Sequence, residues 1–196
     1  MPDVSAFPDL IERLRRGDPE AAAELVRGFE ATVRRIVRFR LVDARLGAVV
    51  DSMDICQSVL ASFFVRAAVG QYELDSPDQL VKLLATMARN KLAGHARKER
   101  TLRRDNRRNS AGLDEDQLLG NDSSPSQRAV TKELLARAEL LLTPDEKQLV
   151  ELRRLGHEWN NIAQQLGENP VALRKRLSRA MDRVTRDLGI DGASHE

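Results

Sequence analysis

Cysteine and aromatic residues are scarce in this chain. Cys56 is the single cysteine among 196 residues, which excludes an internal disulfide framework and a thiolate-rich metal site, since both need several sulfurs brought together. Aromatics make up 4% of the chain, far from the aromatic and β-branched usage of sheets. No apolar run approaches membrane-spanning length, so no membrane association is expected. The opening MPDVSAFPDLIERLRRGD lacks the basic segment and following apolar stretch of a secretory signal. The expectation is a soluble, cytoplasmic protein in a reducing compartment. A large excess of one charge is missing too: the formal net charge is +2, so attraction to nucleic acid has to come from how charge is distributed.

What the chain does have is 32% charged and 41% hydrophobic residues, the balance of charge-laced amphipathic helices. The fold class expected is all-α, with two small helical domains joined by a flexible linker. Leu10, Ile11 and Leu14 mark a short helix ending at Gly17, and Asp18-Pro19 opens the next. That helix carries Ala22, Leu25, Val26, Phe29, Val33, Ile36 and Val37 at helical spacing, with Arg27, Arg34, Arg35 and Arg38 largely off the stripe. A third helix starts near Asp51, with Ile55, Val59 and Phe63 on one side and Asp54, Gln57 and Ala61 opposite. A fourth follows Pro77 and buries Leu80, Leu83, Leu84, Met87, Ala88 and Leu92. Beyond Asn109 the sequence SAGLDEDQLLGNDSSPS buries too little apolar surface to offset the entropy of ordering. The expected division is therefore 1–108, a linker over 109–125, and 126–190.

In the last part, Ile162, Ala163 and Leu166 edge a short helix that Gly167 can end in the left-handed conformation. Asn169 can cap a restart whose first turn holds Pro170. Leu173, Leu177, Ala180, Met181, Val184 and Leu188 then point inward. At 100° per residue, Ala172, Lys175, Arg179 and Arg186 point outward, flanked by Arg174 and Arg176. Two short helices with a tight glycine turn and a basic second helix form the arrangement that enters the major groove. Asn169, Ala172, Lys175 and Arg176 would then approach base edges, while Arg179, Arg183 and Arg186 would neutralise phosphates. The alternative is the solvated face of an ordinary helical hairpin.

The pairing of DSMDICQSV with IAQQLG and ALRKRLSRA resembles the bacterial RNA polymerase sigma factors of the extracytoplasmic-function type. The likeness runs over Leu10 to about Asp105 and over Glu133 to Leu188. It implies a first domain that binds the β′ clamp helices of core RNA polymerase and the minus-ten element of promoter DNA. A second domain would bind the minus-thirty-five element and the β flap, and DNA would open at the minus-ten element. The family's D-x-x-D-h-x-Q pattern falls on Asp51, Asp54, Ile55 and Gln57, which assigns Asp51, Asp54 and Gln57 to polymerase binding. First-turn carboxylates also favour a helix dipole without any partner. MARNKL resembles the helix facing the minus-ten element, so Arg89, Asn90, Lys91, His95, Arg97 and Lys98 become candidates for phosphate or flipped-base contacts. Where many relatives carry an F-x-x-W-L arrangement, this chain has Leu80, Leu83 and Leu84, and stacking on unpaired bases is not available there. Asp114, Glu115, Asp116 and Asp122 either mimic nucleic-acid charge or belong to a solvated tether. The resemblance also leaves room for an anti-sigma protein on the clamp-binding face.

A dimeric helix-turn-helix regulator that binds symmetric operators without polymerase is the rival function. An enzyme is disfavoured. His95, His157 and His195 show no paired spacing for a metal, and no phosphate-binding G-x-x-x-x-G-K loop occurs. Cys56 reads as a buried small hydrophobe and Trp159 as a core anchor. No catalytic residue, metal or cofactor is expected.

Overall fold

Prolines and short polar side chains decide where the helices begin. The computed structural model describes residues 6–43, 51–105 and 125–190, excluding the side chains of 40–43, 98–105 and 125–128, and it contains eight α-helices and no strand among them. They are α1 (Phe7–Arg15), α2 (Pro19–Asp43), α3 (Ser52–Ala68), α4 (Pro77–Asp105), α5 (Pro125–Leu140), α6 (Pro144–Arg154), α7 (Trp159–Leu166) and α8 (Pro170–Asp187). Proline opens α2, α4, α5, α6 and α8, at the position where its missing N–H would have no intrahelical partner. Thr143 adds a capping box to α6: its hydroxyl accepts from the Glu146 N–H at 3.4 Å, and Glu146 accepts from the Thr143 N–H at 2.9 Å. The segment expected to act as linker lies largely outside the described residues.

Helices α1 to α4 enclose a first core. Phe7 and Phe29 meet edge to face at 6.5 Å, and Phe63 stacks on Tyr72 at 6.0 Å, arrangements that suit the ring quadrupole. Leu25, Val33, Ile55, Val59, Leu80 and Leu84 fill the space between. Leu149, Trp159, Ile162, Leu173, Leu177 and Met181 form a second core, contributed mostly by α6, α7 and α8.

Helix α3 belongs to both. The expected single stripe holds for Ile55, Val59 and Phe63, but from Ser62 to Val69 every residue is buried. The reason is compositional: FFVRAAV is apolar nearly all round, and a helix apolar all round is buried all round. Its far side carries Val65 and Val69 into the second core. The two helical units therefore meet, with α3 touching α1, α2, α4, α5 and α8.

Two arginines of α6 seal this junction. A helix leaves its last carbonyls without intrahelical donors. At the end of α3, Arg153 Nε donates to the Gly70 carbonyl at 3.1 Å and Arg154 Nε to the Ala68 carbonyl at 3.3 Å. Cations are favoured there by the helix dipole. Gly70 has φ +67°, and a Cβ at this position would come within 3.0 Å of the Arg153 Cβ, so both conformation and close approach require glycine. Arg153 is 5% exposed. Burial holds its guanidinium below the ordinary arginine value, with Arg15 and Arg174 adding to that and the Glu73 carboxylate at 3.5 Å opposing it. It also lies 4.6 Å above the Trp159 ring, so Trp159 is a core anchor whose face carries a cation.

Candidate nucleic-acid interface

Helix α7 ends where Gly167 takes φ 66° and ψ 28°, its N–H donating to the Ala163 carbonyl. The Glu168 N–H donates to the same oxygen at 3.0 Å. No atom lies within 4 Å of a Cβ built at this glycine, so the turn needs its backbone freedom and not its small size. Asn169 Oδ1 accepts from the Val171 N–H at 2.8 Å, and Pro170 begins α8. The cap, turn and restart match the sequence expectation.

Leu173, Leu177, Ala180, Met181 and Val184 are buried, while Ala172, Lys175, Arg179 and Arg186 are exposed. Lys175, Arg179 and Arg186 have no ion-pair partner among the described residues, which leaves an uncompensated cationic ridge. An open groove runs along it between Ala172, Lys175, Arg176 and Arg179, with Arg183 and Glu146 at its edge. The remaining arginines differ in their commitments. Arg176 holds Glu168 at 2.9 and 2.5 Å, an exposed pair of the kind that contributes about 0–1 kcal/mol and can be exchanged for phosphate. Arg174 turns back toward the first unit, 5.8 Å from the Trp159 ring centre and 4.0 Å from Glu73. Arg183 is half-buried, donating to the Leu141 carbonyl at 2.8 Å and to Glu146 at 2.6 Å. Burial pulls the Glu146 carboxyl upward, but the Thr143 N–H and Arg183 outweigh it and hold it below the ordinary glutamate range.

On the first unit, Asp51 caps α3 by accepting from the Met53 N–H at 2.8 Å. Asp54 is exposed in the first turn and Gln57 is half-buried. On α4, Arg89, Asn90 and Arg97 are exposed and His95 is half-buried. Lys98 lies in α4 with its side chain outside the described atoms. Lys91 is only 7% exposed and donates through Nζ to the Ile190 carbonyl. Leu80 and Leu84 are core, and Leu83 packs against it. Cys56 is buried, and burial, reinforced by Glu30 and opposed by Arg34, raises its thiol to about 11.

Sequence reasoning missed four exposed apolar side chains among the described residues: Val171 at 57%, Leu140 at 79%, Leu155 at 66% and Phe39 at 70% exposure. Val171 sits beside Ala172 in the first turn of α8, off the apolar stripe. Leu140 lines a groove with Ala136, Leu142 and Val150. Phe39 lines another with Arg27, Arg34, Arg35 and Arg38. Their signal was an apolar residue out of register with its helix's buried face.

These features define an all-α protein with a helix-turn-helix whose second helix carries an exposed cationic ridge. A family model described as ECF sigma factor matches residues 4–189, and the chain belongs to that family. No match was found among curated proteins or among solved structures. Membership makes it a sigma factor acting in transcription initiation, a class of regulator and not of enzyme, whose partners are core RNA polymerase and promoter DNA. Among the described residues no helix is long and apolar enough to cross a membrane, and no group of His, Cys, Asp or Glu is placed to hold a metal.

Proposed function

We propose that this chain docks on the β′ clamp helices of core polymerase through the first turns of α3 and reads promoters with two faces. Asp54 and Gln57 would make the clamp contacts, with Asp51 fixing the start of the helix they stand on. Helix α8 enters the major groove of the minus-thirty-five element. Lys175 and Arg176 reach base edges, Val171 and Ala172 offer apolar contact to thymine methyls, and Arg179 and Arg186 neutralise phosphates. The exposed side of α4, with Arg89, Asn90 and Arg97, serves the minus-ten element where DNA opens. The groove around Leu140, where Ala136, Leu142 and Val150 are edged by Glu139, Lys147, Glu151 and Arg154, suits an amphipathic helix, which the β flap would supply. Residues 1–108 and 126–190 act as the two domains, working in the cytoplasm.

The unpaired ridge of Lys175, Arg179 and Arg186 on a glycine-turned helix pair carries this reading. Its division of labour is tested by binding fluorescently labelled protein to core polymerase without DNA. Asp54→Ala and Gln57→Ala each weaken binding by about tenfold, corresponding to about 1.4 kcal/mol. Wild-type chain that ignores core polymerase yet binds a symmetric duplex as a dimer contradicts the reading and favours an operator-binding regulator.

A further inference from the structure

Glu168 is the single acidic residue between Glu158 and Asp182. It stands in the turn that leads into the cationic ridge of α8, a place where a carboxylate repels phosphate. Its backbone is fixed on both sides: its own N–H donates to the Ala163 carbonyl at 3.0 Å, and the next residue, Asn169, caps α8. One carboxylate oxygen accepts from Arg176 Nη1 at 2.9 Å and the other from Nη2 at 2.5 Å. Arg176 is eight residues further along the chain, and it reaches back to the turn because helical side chains lean toward the N-terminus. Ala172, one turn earlier on the same face, lines the same open groove as Arg176 and is too short to block it.

We infer that Glu168 is a specificity-determining positioning residue, which holds the Arg176 guanidinium so that its free edge reads a guanine of the minus-thirty-five element. The inference rests on the proposed entry of α8 into the major groove. A guanidinium has five N–H donors in a fixed planar fork. Glu168 occupies one on each Nη, which leaves the Nε–H and the second Nη2 hydrogen side by side. Such a pair of donors matches O6 and N7 of guanine. An unheld arginine on a DNA surface has phosphates within reach, and a phosphate contact carries no sequence information. The exposed ion pair adds little to the fold, and its carboxylate weakens attraction to every DNA sequence alike. What it supplies is discrimination. With one edge on Glu168 and the other on guanine, the guanidinium is satisfied on both, whereas a wrong base leaves the second edge short of partners.

The test presents the full chain, bound to core polymerase, with promoter fragments randomised across the minus-thirty-five element, and the bound fragments are sequenced. Wild type, Glu168→Ala, Arg176→Ala and the double variant are compared, and thermal melts by circular dichroism check that each is folded. Arg176→Ala is expected to erase a guanine preference at one position. Glu168→Ala is expected to lower that same preference by about tenfold, while binding to mismatched fragments tightens. The slope of log K against log salt is expected to steepen by about 0.9, the signature of one phosphate gained by the released arginine. In the double variant the two losses of preference do not add. A guanine preference that Arg176→Ala erases and Glu168→Ala leaves intact overturns the positioning role. Relaxation by Glu168→Ala at a different position, with loss of a cytosine preference, makes Glu168 itself the base-reading group and overturns it too. An Arg176→Ala variant that relaxes no position defeats the proposed base contact of Arg176, and the role of Glu168 with it.

Discussion

Two basic residues on one helix have opposite duties in the proposed function, and a single substitution in each separates them. Lys175 is exposed and has no ion-pair partner among the described residues, so its removal costs the folded chain little. Lys175→Ala in complex with core polymerase is expected to weaken promoter binding by about 1–3 kcal/mol and relax one base position, with the melting temperature unchanged. Arg183 instead joins α8 to the Leu141 carbonyl and Glu146. Arg183→Ala is expected to destabilise the fold by about 1–3 kcal/mol, since a charge-assisted hydrogen bond is lost and the Leu141 carbonyl loses its arginine donor, while Glu146 keeps the Thr143 N–H. Denaturation curves and binding isotherms on the same two variants decide it. The sequence placed both on the basic side of α8 because spacing reports direction. It does not report what waits there, and Glu146 is 37 residues away in the chain.

At the scale of elements, the start of α6 shows how local chemistry becomes pH dependence. Glu146 closes the capping box and receives Arg183, and its folded pKa is lowered. A lowered carboxylate stabilises fully above the unfolded glutamate pKa of about 4.3 and loses that contribution as pH falls through the folded value. Urea denaturation at pH 7 and at about pH 3 is therefore expected to show a smaller loss of stability for Glu146→Gln than for the wild type. Equal losses contradict the assignment. Helix starts of this kind were legible beforehand, because Asp18-Pro19 and Asn169-Pro170 are local signals. Gly167 was legible for the same reason. Helix α3 was only half legible. Its Ile55, Val59, Phe63 spacing showed one buried side, whereas the burial of Ser62 and Arg66 depends on α8, a partner distant in sequence.

Across the whole molecule, the all-α class and the two cores followed from amphipathic periodicity, and the contact between them did not. Periodicity marks which side of a helix is apolar but not which helix covers it. The stripe read from spacing on α3 named Ile55, Val59 and Phe63 and left Val65 and Val69 unassigned, and these lie in the second core. No local signal singled out Arg153 and Arg154, which cap the end of α3. The candidate site divides in the same way: the outward set on α8 was readable from 100° spacing, while the enclosure of Lys91 by the Ile190 carbonyl was not.

Helix α8 sets six basic residues against two acidic ones in a chain whose formal net charge is only +2, and that chain belongs to the ECF sigma factors, so the central claim is promoter-directed initiation by polymerase. Run-off transcription from a library of promoter fragments, with core polymerase alone and with core plus this chain, measures it directly. The account predicts discrete transcripts that appear only when the chain is added and that diminish with Gln57→Ala. The same RNA pattern with and without the chain, on every fragment, would contradict it.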